Sequence, residues 1–323
     1  YGFPSPAPSP ELGEAVNTIA LDELEALVQG REAGAGLERG TEQSITWHGG
    51  ERVQRDLCIL YVHGWSASPA EHRTVAQDLA RRLKANLLAV RLPGHGRAEA
   101  DGAPLLTEAS PAGLFGAVAD GMWVARRLGR RVVCLGCSTG GALLTWVAAQ
   151  PCFASSVAGL LLVSPAYRLA GAAFPVFARV LGFLRRLAPA SLARAAGVLL
   201  VHAVVGRVKR PRFVKNDEHM RLWTLVYPAA AVLTVVEVVW EISHMDLSTL
   251  TCPVFLLGCQ ADPVVDWDFS LDWARRRIPA STKATLTLGP DATEAFHCIG
   301  SNVLGEDTSK QVVDAMEWFW WTT

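Results

Sequence analysis

The pentapeptide Gly136-Cys137-Ser138-Thr139-Gly140 stands between an apolar run, RVVCLG at 131–136, and a helical one, TGGALLTWVAAQ. A strand-to-helix turn this sharp would drive a side chain two positions either side of the serine into neighbouring backbone. Glycine, with no Cβ, fits there. Such a turn presents the serine hydroxyl at the start of a helix, where free N–H groups and the helix's positive end favour a developing anion. Ser138 is therefore the candidate nucleophile, flanked by the supporting glycines Gly136 and Gly140, and its context predicts a βα unit.

The rest of the chain repeats that unit. Short runs at 57–62, 86–91, 131–136, 157–164, 253–258 and 283–289 are nearly continuous in Val, Leu and Ile, as parallel strands covered on both faces require. Helical stretches around 71–84, 111–128, 139–150 and 307–321 separate them. The order predicts an α/β fold with a mostly parallel, doubly wound sheet. Ligands are then expected beyond the carboxyl ends of the strands. Residues 1–44 read as a Pro-rich, loosely held arm followed by a short helix. The sheet core is expected from 45–164 and 251–323, and 165–250, which lacks strand-turn alternation, reads as a helical cap inserted after the 157–164 strand.

Chain order selects the partners of Ser138. His297 is the one histidine downstream of residue 244, just past the last apolar run and before the final helix. That position suits a general base. Asp262 directly follows the run VFLLG and is the expected carboxylate, holding the imidazole in its proton-accepting tautomer. Asp266 and Asp268 are alternatives, but they fall where a helix begins, so capping is their simpler role. An oxyanion requires two N–H donors. Thr139, after the nucleophile, supplies one, and the loop His63-Gly64-Trp65-Ser66-Ala67-Ser68 supplies the other through the Trp65 N–H. His63 and Gly64 are read as supports of that loop.

Composition narrows the alternatives. Half of the 323 residues are hydrophobic and 19% are charged, which supplies a large core and argues against global disorder. A net charge of −1 gives no overall field toward nucleic acid. Seven cysteines, an odd number, fall largely in apolar runs and read as buried thiols of a cytoplasmic or other reducing compartment. Cys134 and Cys137 form a C-x-x-C, but no second pair accompanies it, so no metal or cofactor is expected. No stretch is apolar enough to span a bilayer. The chain begins at Tyr1 without a leader pattern, which remains compatible with prior removal of one.

Taken together, the loop at 63–68, Arg91-Leu92-Pro93-Gly94-His95-Gly96, the pentapeptide at 136–140, Gly258-Cys259-Gln260-Ala261-Asp262 and His297 resemble the α/β-hydrolase superfamily, in its monoacylglycerol lipase and microbial carboxylesterase-like (serine-aminopeptidase-like) branch. The resemblance runs from about residue 45 to the C-terminus and is weakest over 165–250. It implies a Ser-His-Asp esterase acting on a small-molecule ester, with His95 structural. Trp65 departs from the apolar residue common there, and Cys137 is an unusual neighbour for the nucleophile. A thioesterase or acyltransferase would use the same three residues, and a ligand-binding receptor on the same scaffold is the non-enzymatic alternative.

The 165–250 segment combines long apolar runs with ten Arg or Lys and no acid over 165–216. Two readings compete. One is a solvated face whose counter-acids come from distant segments; the other is peripheral docking on an anionic membrane. The apolar excess predicts a pocket for an acyl chain. The oligomeric state is left open.

Overall fold

The computed structural model describes residues 5–10, 12–32, 34–98, 106, 108–171, 173–187, 189–209, 214–290, 295–305 and 308–323. The six apolar runs form strands within two residues of the expected bounds: β2 (Arg55–Val62), β3 (Asn86–Val90), β4 (Gly129–Cys137), β5 (Val157–Val163), β8 (Val254–Cys259) and β9 (Lys283–Leu288). With β1 (Ser44–Thr46) they build a sheet in the order β1-β3-β2-β4-β5-β8-β9. Every neighbouring pair is parallel except β1, which runs antiparallel to β3 at the edge. β1 is too short to leave a periodic signal.

Both faces of the sheet are covered, which explains the unbroken apolar runs: every residue of β3, β5 and β8 is buried. One face packs on α1 (Leu21–Gly30), α3 (Pro111–Leu128), α4 (Thr139–Ala148) and α10 (Trp267–Arg277); the other packs on α2 (Arg73–Arg82) and α11 (Ser309–Thr322). Cys134 and Cys137, three residues apart in a period-two strand, therefore point to opposite cores. They can neither bond to one another nor share an ion. In α11, Phe319 is buried against Phe255, while Trp318 and Trp321 face solvent.

The N-terminal arm is more firmly held than its prolines predict. Asp120, buried within α3, needs partners, and it accepts from Ser9 N–H and Oγ–H at 2.7 Å each and pairs with Arg31 at 2.6 Å. Trp123 Nε1–H donates to Pro6 O. Residues 1–4 of the expected arm lie outside the described residues.

Between β5 and β8 the chain forms α6 (Ala173–Leu187), α7 (Ala190–Val205), α8 (Asp217–Leu222) and α9 (Val232–His244), with a two-stranded antiparallel pair of β6 (Val208–Lys209) and β7 (Tyr227–Pro228); the short α5 (Pro151–Ala154) precedes β5. α9 roots this insertion: Val238 and Ile242 join the sheet core, and Thr234 Oγ1–H donates to Ala109 O. α6 crosses α9 where Trp240 lies on Gly182, the residue without a side chain to obstruct it. Among the described residues, Arg194 pairs with Glu237 and Arg168 with Asp266, acids from elsewhere in the sequence. Arg210 and Arg212 lie outside the described residues.

Asp120→Ala should cost about 1–3 kcal/mol, the penalty for stranding buried donors. A lowered Tm together with faster proteolysis of the N-terminal arm would bear this out; an unchanged Tm would show that the arm adds nothing to stability.

Candidate active site

The chemistry gathers at the carboxyl ends of β4, β8 and β9. Ser138 follows β4 directly, with φ 52° and ψ −119°, a conformation that L-residues rarely adopt. The turn is fixed by its neighbours: Ser138 N–H donates to Val163 O at 2.9 Å, and Ser138 O accepts from Ala142 and Ala166 N–H. Its glycines are forced by space. A Cβ on Gly136 would lie 2.8 Å from Gly141 N, and one on Gly140 would collide with Val62 O and His63 O.

Asp262 sits in the turn after β8. Its Oδ1 accepts from Val264 N–H at 2.8 Å and Val265 N–H at 3.0 Å, and its Oδ2 accepts from His297 Nδ1–H at 2.7 Å. Three bonds thus hold the carboxylate in one orientation. Asp266 caps α10, accepting from Phe269 N–H at 3.0 Å. His297 lies on the loop between β9 and α11. Burial alone would lower its pKa, but the charge and hydrogen bond of Asp262, with a further push from Glu71, hold it above the ordinary imidazole value. Asp262 and His297 are therefore joined. Among the described residues Ser138 Oγ makes no hydrogen bond to His297, a contact that often tightens only around bound substrate.

The loop after β2 abuts Ser138: a Cβ on Gly64 would stand 3.2 Å from Ser138 Cβ. Among the described residues the N–H groups of Trp65 and Thr139 have no protein acceptor, as an oxyanion pair requires. His63 is occupied on both nitrogens. Nδ1–H donates to Gly64 O at 2.8 Å and Nε2 accepts from Leu92 N–H at 3.0 Å. Burial pushes its pKa down to about 4, so it is a neutral structural ring. His95 packs edge-on against His63 and Trp65.

The insertion reaches across this rim. Thr224 N–H donates to Ser66 O at 2.7 Å, Tyr227 packs edge-on against Trp65, and Leu222 and Trp223 pack with Ala67, Ala70 and Val303.

Two buried residues escaped the sequence reading. Glu71 and His72 lie behind the Gly64 loop and touch both it and the segment after His297. The signal was an acid and a histidine side by side where a helix begins, a pattern common on any surface. Glu71, His72 and Cys137 are also the grouping of metal-type donors found among the described residues, within 4.8 Å of one another. Two donors suit a metal poorly: Glu71 already accepts from Gly64 N–H and Tyr61 OH, and burial pushes the Cys137 thiol well up. A cavity of about 380 Å³ lined by Arg31, Glu32, Arg91, Arg97, Glu108 and Asp120 lies by α1 and α3 and holds none of the three candidate catalytic residues.

The sequence profile described as "Alpha/beta hydrolase family" matches residues 59–314, most of the chain. The chain belongs to the α/β hydrolase family. No curated protein matches it. Among solved structures it is similar to one from a study of LipS and LipT, two metagenome-derived lipolytic enzymes, at 19% identity and a TM-score of 0.63 over 88% of this chain and 98% of that one. The monoacylglycerol lipase of Paleococcus ferrophilus gives 14% and 0.57 over 87% and 98%. A soluble variant of Saccharomyces cerevisiae monoglyceride lipase, bound to a substrate analogue, gives 15% and 0.55 over 86% and 90%. At these identities the likeness speaks to the shared hydrolase fold.

The collision at Gly140 predicts that Gly140→Ala abolishes soluble folded protein or lowers Tm steeply. Gly116→Ala, in α3 with open space around it, should instead stabilise by about 0.5–1 kcal/mol. Equal behaviour of the two variants in thermal melts would remove the steric account of the motif.

Proposed function

We propose that this hydrolase cleaves carboxylic esters of apolar or amphiphilic small molecules through an acyl-enzyme, with Ser138 as nucleophile, His297 as general base and Asp262 as the orienting carboxylate. The observation that carries the proposal is the 2.7 Å Asp262–His297 bond at the strand ends that also present Ser138 in its strained turn. Ser138 Oγ attacks the ester carbonyl as His297 Nε2 takes its proton. Trp65 and Thr139 N–H receive the oxyanion, and His297 then returns the proton to the departing alcohol. Water repeats the sequence on the acyl-enzyme and releases the acid. Asp262 fixes the tautomer with Nδ1–H toward itself and stabilises the imidazolium that forms.

The insertion acts as a cap over the reaction face and, we propose, as a docking face for anionic lipid. On α6, Val176, Val180, Phe183 and Leu187 recur along one side at exposures of 59, 40, 60 and 69%, and Leu192 and Leu199 of α7 are exposed as well. Such a stripe on helices, beside the exposed Arg179 and Arg207, has the make-up of an interfacial surface.

Three results test the chemistry. A fluorophosphonate probe should label the wild-type protein and not Ser138→Ala, whose turnover should vanish at nearly unchanged Tm. An unlabelled wild type would favour a ligand-binding receptor. Because the base must be neutral and the Asp262 carboxylate holds its pKa above the ordinary imidazole value, kcat/KM should fall with pH already above the range where a free imidazole protonates. A flat profile to pH 5 would refute a histidine base.

The cap generates a separate expectation. Chromogenic esters with acyl chains of about six or more carbons should exceed acetates in kcat/KM, since each buried CH₂ contributes about 0.8 kcal/mol. Anionic vesicles should bind the protein more tightly than zwitterionic ones, less so as salt shortens the screening length to well below ~10 Å. A preference for acetate would remove the acyl pocket, and equal vesicle binding would remove the lipid face.

A further inference from the structure

Behind the reaction face lies a carboxylate that the three-residue scheme does not use. Glu71 is buried on the segment joining β2 to α2, and a buried carboxylate is costly unless donors surround it. Its donors come from separate parts of the site. Oε2 accepts from Gly64 N–H at 2.9 Å, in the loop that carries Trp65, and from Tyr61 OH at 3.3 Å. Oε1 accepts from the Cys298 thiol at 3.4 Å, the residue after His297. His72 completes the arrangement. Its ring stands 3.4 Å from Glu71 through Nδ1 and donates through Nε2–H to Ile299 O at 2.8 Å, two residues past the base. Its own N–H donates to Tyr61 OH at 3.1 Å.

Ordinary structural duties do not account for this placement. His72 stands at the N-cap of α2 but makes no side-chain capping bond there. Nor is the pair a solvated surface ion pair, since both side chains are almost wholly inaccessible. What Glu71 and His72 do join is the oxyanion loop, through Gly64, to the base loop, through Cys298 and Ile299. Those two loops meet nowhere in sequence and have to hold register around one carbonyl carbon.

We propose that Glu71, braced by His72, is a positioning residue that locks the oxyanion loop to the base loop and lends a second negative charge to the His297 imidazolium formed during attack. The proposal rests on the triad reading above. Around His297 the charged groups are Asp262, in direct contact, and Glu71. Facing Glu71 are His72, His63, Tyr61, Cys137 and Cys298. His63 is held neutral by burial. Tyr61 and Cys137 are pushed well up, and Cys298, though its bond with Cys137 lowers it, is brought to about 11 by burial and Glu71. Burial would raise Glu71 itself, yet its contact with His72 and the bond from Gly64 N–H bring it down to about 2, so it stays anionic over the working range. Neutralising it withdraws support from the protonated base, and the base must then titrate at lower pH.

The test compares the full-length wild type with Glu71→Gln and Glu71→Ala. The amide keeps an acceptor for Gly64 N–H and removes only the charge; alanine removes both. For Glu71→Gln the acid limb of kcat/KM should move down by about half a pH unit or more, and kcat should fall roughly ten-fold with KM within about two-fold. Glu71→Ala should lose roughly a hundred-fold in kcat as the loops part. A fall in kcat with an unmoved limb, or no change in either, overturns the proposal. Should neither variant fold, Cys298→Ala removes the direct bond from the base loop to Glu71. It should lower kcat by about three-fold or more at constant KM, and an unchanged kcat overturns the proposal. Fluorophosphonate labelling of the wild type separates the two readings. Without it the triad reading fails first, whereas a labelled wild type beside an unaffected Glu71→Gln defeats this one alone.

Discussion

The turn at Ser138 is the constraint on which the rest of the molecule depends. A non-glycine residue at positive φ costs on the order of 1–3 kcal/mol and persists only where its surroundings leave no alternative. Here those surroundings are two glycines pressed against β2 and α4, a Ser138 N–H held by Val163 O, and two amides beyond it that converge on Ser138 O. The strain is therefore met by the central strands and the helix between them, the most deeply buried part of the fold. A consequence is that Ser138 cannot relax without disturbing the middle of the sheet. Its partners, by contrast, stand on loops, where the chain can be shaped by side-chain bonds alone.

That division explains what was legible in the sequence. Strands buried on both faces write themselves as apolar runs, so β2, β3, β4, β5 and β8 could be read before any coordinates, as could the more open edge strand β9 and the end of the sheet at which Ser138, Asp262 and His297 lie. Asp266 was likewise readable as a cap because Asp at a helix start has a local job. What escaped reading acts across sequence distance. Glu71 looks like any acid before an amphipathic helix, and only the fold brings the residues after His297 against it. The N-terminal arm carries the composition of a loose tail, and its anchor, Asp120, is an acid inside a helix 111 residues away from Ser9. The Cys134–Cys137 pair misleads in the opposite sense: its spacing suggests chelation, but period-two geometry sends the thiols to opposite cores.

The insertion shows the same logic at larger scale. Its apolar residues serve two purposes that sequence cannot separate. Val238 and Ile242 of α9 enter the sheet core, Leu233 and Val236 of α9 join Phe174, Phe177 and Val201 in a small inner cluster, and the other apolar residues of α6 and α7 include an outward stripe. The cations divide as well, with Arg168 and Arg194 held by acids from other segments while Arg179 and Arg207 face solvent with no ion pair among the described residues. An even mixture would simply be a solvated helix. It is the concentration of apolar side chains on one side of α6, at positions that nothing in the described fold covers, that gives the lipid reading its physical content.

Electrostatics then bear on the barrier of the proposed reaction. The whole molecule is nearly neutral, so nothing draws a charged ester in from a distance. At His297, however, the Asp262 carboxylate is in hydrogen-bond contact and the charge of Glu71 adds to its effect. In a medium of low dielectric such charges act far more strongly than in water. They favour the imidazolium and with it the transition state. They also disfavour an acid product, since the carboxylate released from the acyl-enzyme meets two fixed anions in place of the neutral carbonyl that preceded it. In the proposed reaction the same two groups would favour attack and assist departure of the acid.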